Sequence, residues 1–215
     1  MSGKLVAWLT LVAAVSAIGY ADRVAGGKPP KDVVYKYSTA ASELLLFGVI
    51  LLLVIWIARG LSKRETFALR PPRSWGRAIG LGFGVFVAIW IVSFALDPVL
   101  HPGREQGLAP PTWEARHAGA FALNVFALAV VGPVVEELTF RGLGFTLLAR
   151  YGQTVAIVAI GIAFAVWHGL IEALPVLFVF GAGLALVRSR TSSIYPCMVL
   201  HALFNGLALA IAVTI

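Results

Sequence analysis

Apolar residues in this chain fall into long unbroken runs rather than strand-like alternation, at about residues 5–21, 40–58, 78–96, 118–149, 154–170, 175–187 and 194–215. A hydrocarbon core of ~30 Å needs about 20 apolar residues per helix, and backbone in lipid must satisfy its hydrogen bonds internally. The runs therefore predict an all-α fold, a polytopic membrane bundle of about seven transmembrane helices. Turn-forming connectors punctuate them: "GGKPPKD", "RPPRSWGR", "DPVLHPGREQGLAPP" and "RSRTSS". No internal repeat is visible.

Composition supports this reading. Hydrophobic residues make up 60% of 215 and charged ones 13%, about half the charged share of a soluble domain. Little chain remains for a soluble domain, so residues 1–117 (about three spans) and 118–215 read as parts of one integrated membrane domain. The net charge of +7 could suggest nucleic acid, but six of the seventeen basic residues lie between Arg59 and Arg77. Clustering in one connector serves topology and anionic headgroups, so the partner is the lipid bilayer and no nucleic acid is expected.

With Lys4 inside, ten basic residues fall on the inner side: Lys4, the six of 59–77, Arg150, Arg188 and Arg190. Six fall outside: Arg23, Lys28, Lys31, Lys36, Arg104 and Arg116. The bias predicts a multi-pass protein of the cell membrane with a cytoplasmic amino terminus. Leu5 to Ala21 also has the build of a cleaved signal peptide, although a retained first helix is favoured. Cys197, the single cysteine, reads as a packing residue.

Against this background the fourth run is unusual. From Ala118 to Val135 it carries no charge, and then "EELTFR" introduces Glu136, Glu137 and Arg141. An ionisable side chain within a span costs ~2.5–3.5 kcal/mol even on the gentler insertion scales, so each needs a reason. His168 in the fifth run and His201 with Asn205 in the seventh join the set, whereas Glu43 and Glu172, near run ends, read as structural. Glu137 and Arg141 are four apart and can pair on one helix face, as can His201 and Asn205. Glu136 points about 100° away from Glu137. Phe164 lies one turn before His168 and can pack on its ring.

Counted from the basic-loop side at 1.5 Å per residue, Glu136 and His168 both lie ~20 Å deep, His201 ~10 Å and Asn205 ~16 Å. Three helices thus deliver polar groups toward one layer. A carboxylate and a histidine can activate a water against a carbonyl, and a His with an Asn can donate to the developing oxyanion. No Gly-x-Ser-x-Gly elbow is present. The competing class is a non-catalytic membrane scaffold or a proton-coupled transporter, although the repeat of broken helices common in transporters is absent.

"EELTFR" (E-E-x-x-x-R), "FAVWH" (F-x-x-x-H, Phe164 to His168) and "HALFN" (H-x-x-x-N, His201 to Asn205) together resemble the CAAX protease and bacteriocin-processing family, the CPBP or Abi family. That family includes the Ras-converting prenyl protease. The resemblance covers about residues 118–215; the earlier helices match only as generic spans, and about seven helices are fewer than the eight often associated with the prenyl protease.

The resemblance implies an intramembrane endopeptidase in which Glu136 and His168 activate water and His201 and Asn205 form the oxyanion hole. Glu137 and Arg141 would be supporting or substrate-contacting. Its expected substrate is a membrane-associated protein or peptide, and the compact chain without targeting signals suggests a bacterial setting. Two histidines and a carboxylate keep zinc open as a cofactor, but His-Glu-x-x-His is absent and Asn is a poor zinc ligand, so no cofactor is the favoured reading. The mouth of the site is expected on the basic-loop side, nearest His201, Asn205 and "RSRTSS".

Overall fold

The computed structural model describes residues 2–26, 32–100 and 112–213; of the basic residues counted above, Lys28, Lys31 and Arg104 lie outside these ranges. Among the described residues the regular structure is helical. We number the helices α1 Ser2–Gly26, α2 Tyr37–Ile57, α3 Lys63–Thr66, α4 Trp75–Leu100, α5 Ala115–Tyr151, α6 Gln153–Trp167, α7 Leu174–Thr191 and α8 Tyr195–Ala212.

Six of these helices are long and apolar enough to cross a membrane. The seventh expected span, α6, has 15 residues, about 22 Å at 1.5 Å per residue. That is short of a ~30 Å core, so it ends inside the bundle. The surface explains why the chain belongs in lipid. Leu45, Leu52, Ile79, Phe83 and Phe94 are each at least 67% exposed, large apolar side chains on the outside of the bundle where lipid suits them better than water.

α5 is the longest helix, 37 residues, and it is not uniform. Ala127–Val131 and Leu138–Gly144 are wound as π-helix, flanking the α-helical Gly132–Glu137. π-turns arise where an i→i+4 ladder is interrupted, and they cluster at functional sites. Small residues allow neighbours to approach here: the Phe47 ring closes on Gly132, and Trp8 on Gly144. Trp8 also donates its indole N–H to the Thr139 carbonyl at 2.9 Å, tying α1 to the second π segment.

The two ends of the bundle differ. At one, Lys4 Nζ caps the carbonyls at the end of α2, Ile57 (2.8 Å) and Arg59 (2.7 Å). There too Arg70 Nε donates to the Ser192 carbonyl (2.8 Å), and Ile194 N–H to that of Ala68 (3.2 Å), so the basic connector clamps the turn between α7 and α8. At the other end Asn124 Nδ2 donates to the Val34 and Lys36 carbonyls, both at 3.0 Å. Tyr35, Trp113 and Phe121 form a ring cluster beside it, the interfacial aromatic belt expected where a span meets headgroups.

Candidate active site

Glu136 and Glu137 sit on the short α-helical stretch between the two π segments of α5. Arg141, within the second π segment, is fully buried, as is Glu137. Arg141 donates from Nη1 to Glu137 Oε1 at 2.8 Å and from Nη2 to the Gly181 carbonyl at 3.0 Å. Its guanidinium lies 4.4 Å above the Phe164 ring. The pair read from the spacing is thus present, and it also locks α5 to α7. A charge in so dry a position is tolerable only with its partner, so removing either member is expensive.

His168 caps the end of α6. Its Nδ1–H donates to the Phe164 carbonyl at 2.8 Å and its ring centroid lies 4.7 Å from that of Phe164, the packing expected from F-x-x-x-H. That bond fixes the tautomer and leaves the Nε2 lone pair pointing into the bundle. The chain turns sharply after His168 because Gly169 adopts φ +64° and touches Gly19 of α1; an added Cβ would lie 2.7 Å from the Gly19 carbonyl carbon. Only glycine fits both demands.

His201 is buried on α8, its Nδ1 2.8 Å from Glu137 Oε1, the same oxygen that holds Arg141. Phe180 of α7 packs edge-on against its ring at a centroid distance of 4.8 Å. One turn along, Asn205 donates from Nδ2 to the Leu128 carbonyl at 2.9 Å. Leu128 lies in the first π segment, where the altered ladder makes a carbonyl available to a side chain from another helix.

These three helices converge on Glu136. Its Oε2 is 3.7 Å from His201 Nε2 and 3.9 Å from His168 Nε2. Both separations are too long for a hydrogen bond and suit a single bridging water. Counting residues put Glu136 and His168 at one depth, and they meet. It put His201 ~10 Å shallower, yet its ring also reaches Glu136. Among the described residues, no three His, Cys, Asp or Glu side chains are grouped as metal ligands would be.

Residues 118–207 match the family model for type II CAAX prenyl endopeptidase Rce1-like proteins. Over these residues the chain is similar to the CAAX protease family. No curated protein and no solved structure matches the chain. The matched stretch contains all six residues singled out from the sequence, Glu136, Glu137, Arg141, His168, His201 and Asn205. The matched stretch is built into a multi-pass membrane bundle.

Sequence reasoning missed several residues of this cluster. Phe180 orients His201, and the carbonyls of Gly181 and Leu128 anchor Arg141 and Asn205. Phe180 and Gly181 sit in an apolar run with no local signal. Leu128 could be suspected only from the Gly132–Pro133 pair that disturbs the helix after it.

Proposed function

We propose that the chain is an intramembrane endopeptidase that cleaves a peptide bond of a membrane-associated protein or peptide with a water activated by Glu136 and His168. The observation that carries this reading is the convergence of Glu136 Oε2 with the Nε2 atoms of His168 and His201 at 3.9 and 3.7 Å. A water between them lies within reach of a carboxylate and of a neutral imidazole nitrogen, the two groups able to take its proton as it attacks a carbonyl.

The oxyanion that forms is received by His201 and Asn205. Asn205 uses one N–H on Leu128 and keeps the other for the substrate. His201 gives Nδ1–H to Glu137, so its Nε2 donates to the oxyanion in the imidazolium form. Glu137 and Arg141 are positioning residues in this account: they hold His201 and the Glu136-bearing turn rather than touch the substrate. The amino terminus and the basic connector are cytoplasmic.

The reaction as written uses no metal. A purified, reconstituted protein should keep its activity in a strong chelator; loss of activity restored by zinc would replace the water-activation step with metal catalysis. The experiment that tests the function itself compares membrane proteomes of cells bearing the wild-type and the Glu136→Gln protein. An uncleaved precursor should accumulate with the variant. Identical proteomes, with the variant folded and inserted, would remove the protease reading.

A further inference from the structure

α1 lies outside the matched stretch, 118–207, and much of it faces outward, with Val6 and Ile18 exposed. Its buried residues are Trp8, Leu11, Val12 and Ser16, the three- and four-residue spacing of a single helix face. Gly19 continues that face. Lys4, bonded to the carbonyls of Ile57 and Arg59, fixes the helix along its own axis.

This face meets the chain just beyond each of the two water-activating residues. Buried Trp8 donates its indole N–H to the Thr139 carbonyl at 2.9 Å, three residues past Glu136 and between Glu137 and Arg141. Thr139 belongs to the second π segment, where the altered winding leaves a carbonyl for an outside donor. The Trp8 ring fills the space over Gly144, where an added Cβ would strike it, and lies edge-on to Phe140 at a centroid distance of 6.2 Å. Phe140 packs in turn on Phe164, at 5.3 Å, and Phe164 on His168, at 4.7 Å. Farther along α1 by eleven residues, about 16 Å at 1.5 Å per residue, Gly19 lies against Gly169; a Cβ on Gly19 would sit 3.3 Å from the Gly169 Cα. Tyr20 donates its hydroxyl to the Leu170 carbonyl at 3.3 Å. Gly169 and Leu170 directly follow His168.

We propose that α1 is a splint for the water-activating pair: Trp8 on the α5 side, and Gly19 with Tyr20 on the α6 side, are positioning residues that set the 3.9 Å separation of Glu136 from His168. This rests on the proposed protease reading, which says what the pair is for. Both members of the pair sit where regular winding breaks, Glu136 between two π segments and His168 at a helix end before a glycine at φ +64°. Neither place is held by its own α-helical ladder alone. A regular helix of 25 residues, bonded to the chain beside each, holds both. Misplacing a reacting group by about 1 Å costs up to about 10²-fold in rate.

Two readouts test the splint, and one needs no substrate. In protein carrying histidine isotopically labelled at Cε1 and held in nanodiscs, the His168 and His201 NMR resonances, assigned with His168→Gln and His201→Gln, report where each ring sits. Trp8→Phe keeps a ring and removes the N–H donor. It should move the His201 resonance, because Glu137 holds that ring and the turn bearing Glu137 loses its tie to α1. Gly19→Ala presses on Gly169 and should move the His168 resonance. Tyr20→Phe loses only a hydroxyl, should move the same resonance, and serves if Gly19→Ala misfolds. Ile18→Ala, on the outer face, should leave both in place. On the native precursor, Trp8→Phe and Gly19→Ala should each lower kcat by about 10- to 10²-fold with KM unchanged.

Resonances unmoved by Trp8→Phe, or by both Gly19→Ala and Tyr20→Phe, would overturn the splint. So would a lowered melting temperature with wild-type kcat, which marks α1 as packing alone, and so would a rise in KM at constant kcat. Unchanged processing by Glu136→Gln, with both resonances moving as expected, would defeat the protease reading while leaving the splint standing.

Discussion

His201 Nδ1 and Arg141 Nη1 both lie 2.8 Å from one oxygen of Glu137, so a single carboxylate joins α5 to α8 and, through the bond from Arg141 to Gly181, to α7. Its other oxygen, Oε2, has no hydrogen-bond partner among the described residues. Glu137 is therefore committed to one oxygen, and the loss of its charge is felt at two partners.

Glu137→Gln and Arg141→Gln should each destabilise the protein by about 3–5 kcal/mol, because each leaves a buried charge without its partner. Thermal unfolding in detergent or nanodiscs checks this. A variant whose melting temperature matches wild type would show that the pair is not structural. Glu137→Gln should also lower turnover, since the carboxylate that holds His201 by Nδ1 is lost.

His201→Ala and Asn205→Ala should each reduce kcat by about 10²–10³ with little change in KM, since their donors act as charge develops on the carbonyl oxygen. Steady-state kinetics on the precursor identified by proteomics makes the distinction. An increase in KM at constant kcat would assign them to substrate binding instead.

Gly169→Ala should lower both stability and activity. An L-residue at φ +64° costs about 1–2 kcal/mol, and the added methyl would press on the backbone of Gly19. His168, the residue before it, would be displaced from Glu136. Wild-type melting temperature and kcat in this variant would show that the tight turn is not needed to place His168.

Much of this architecture is legible in the sequence, for physical reasons that can be named. Each span needs a run of apolar residues, so the helices fall within a few residues of the runs, and α6 is short because His168 and Gly169 end it. Glu137–Arg141 and Phe164–His168 are i,i+4 relations on single helices, and the spacing states them outright. What is not legible depends on pairs of helices. The π-turns of α5 follow from the fit of Phe47 against Gly132 and Trp8 against Gly144. The link from His201 to Glu137 crosses 64 positions, and the ring layer of Phe140, Phe164, Phe180 and His201 beside it is made by side chains from α5, α6, α7 and α8 together. The apolar runs that supply that layer look no different from those that face lipid.

The central claim is that Glu136 activates the attacking water, and its most direct measurement is single-turnover cleavage of the native precursor by reconstituted Glu136→Gln protein. The replacement is nearly isosteric and removes only the proton acceptor, so the melting temperature should stay near wild type. The cleavage rate should fall by at least the 10²–10⁴-fold typical of a lost general base. A correctly folded Glu136→Gln protein that cleaves at close to the wild-type rate would contradict the account.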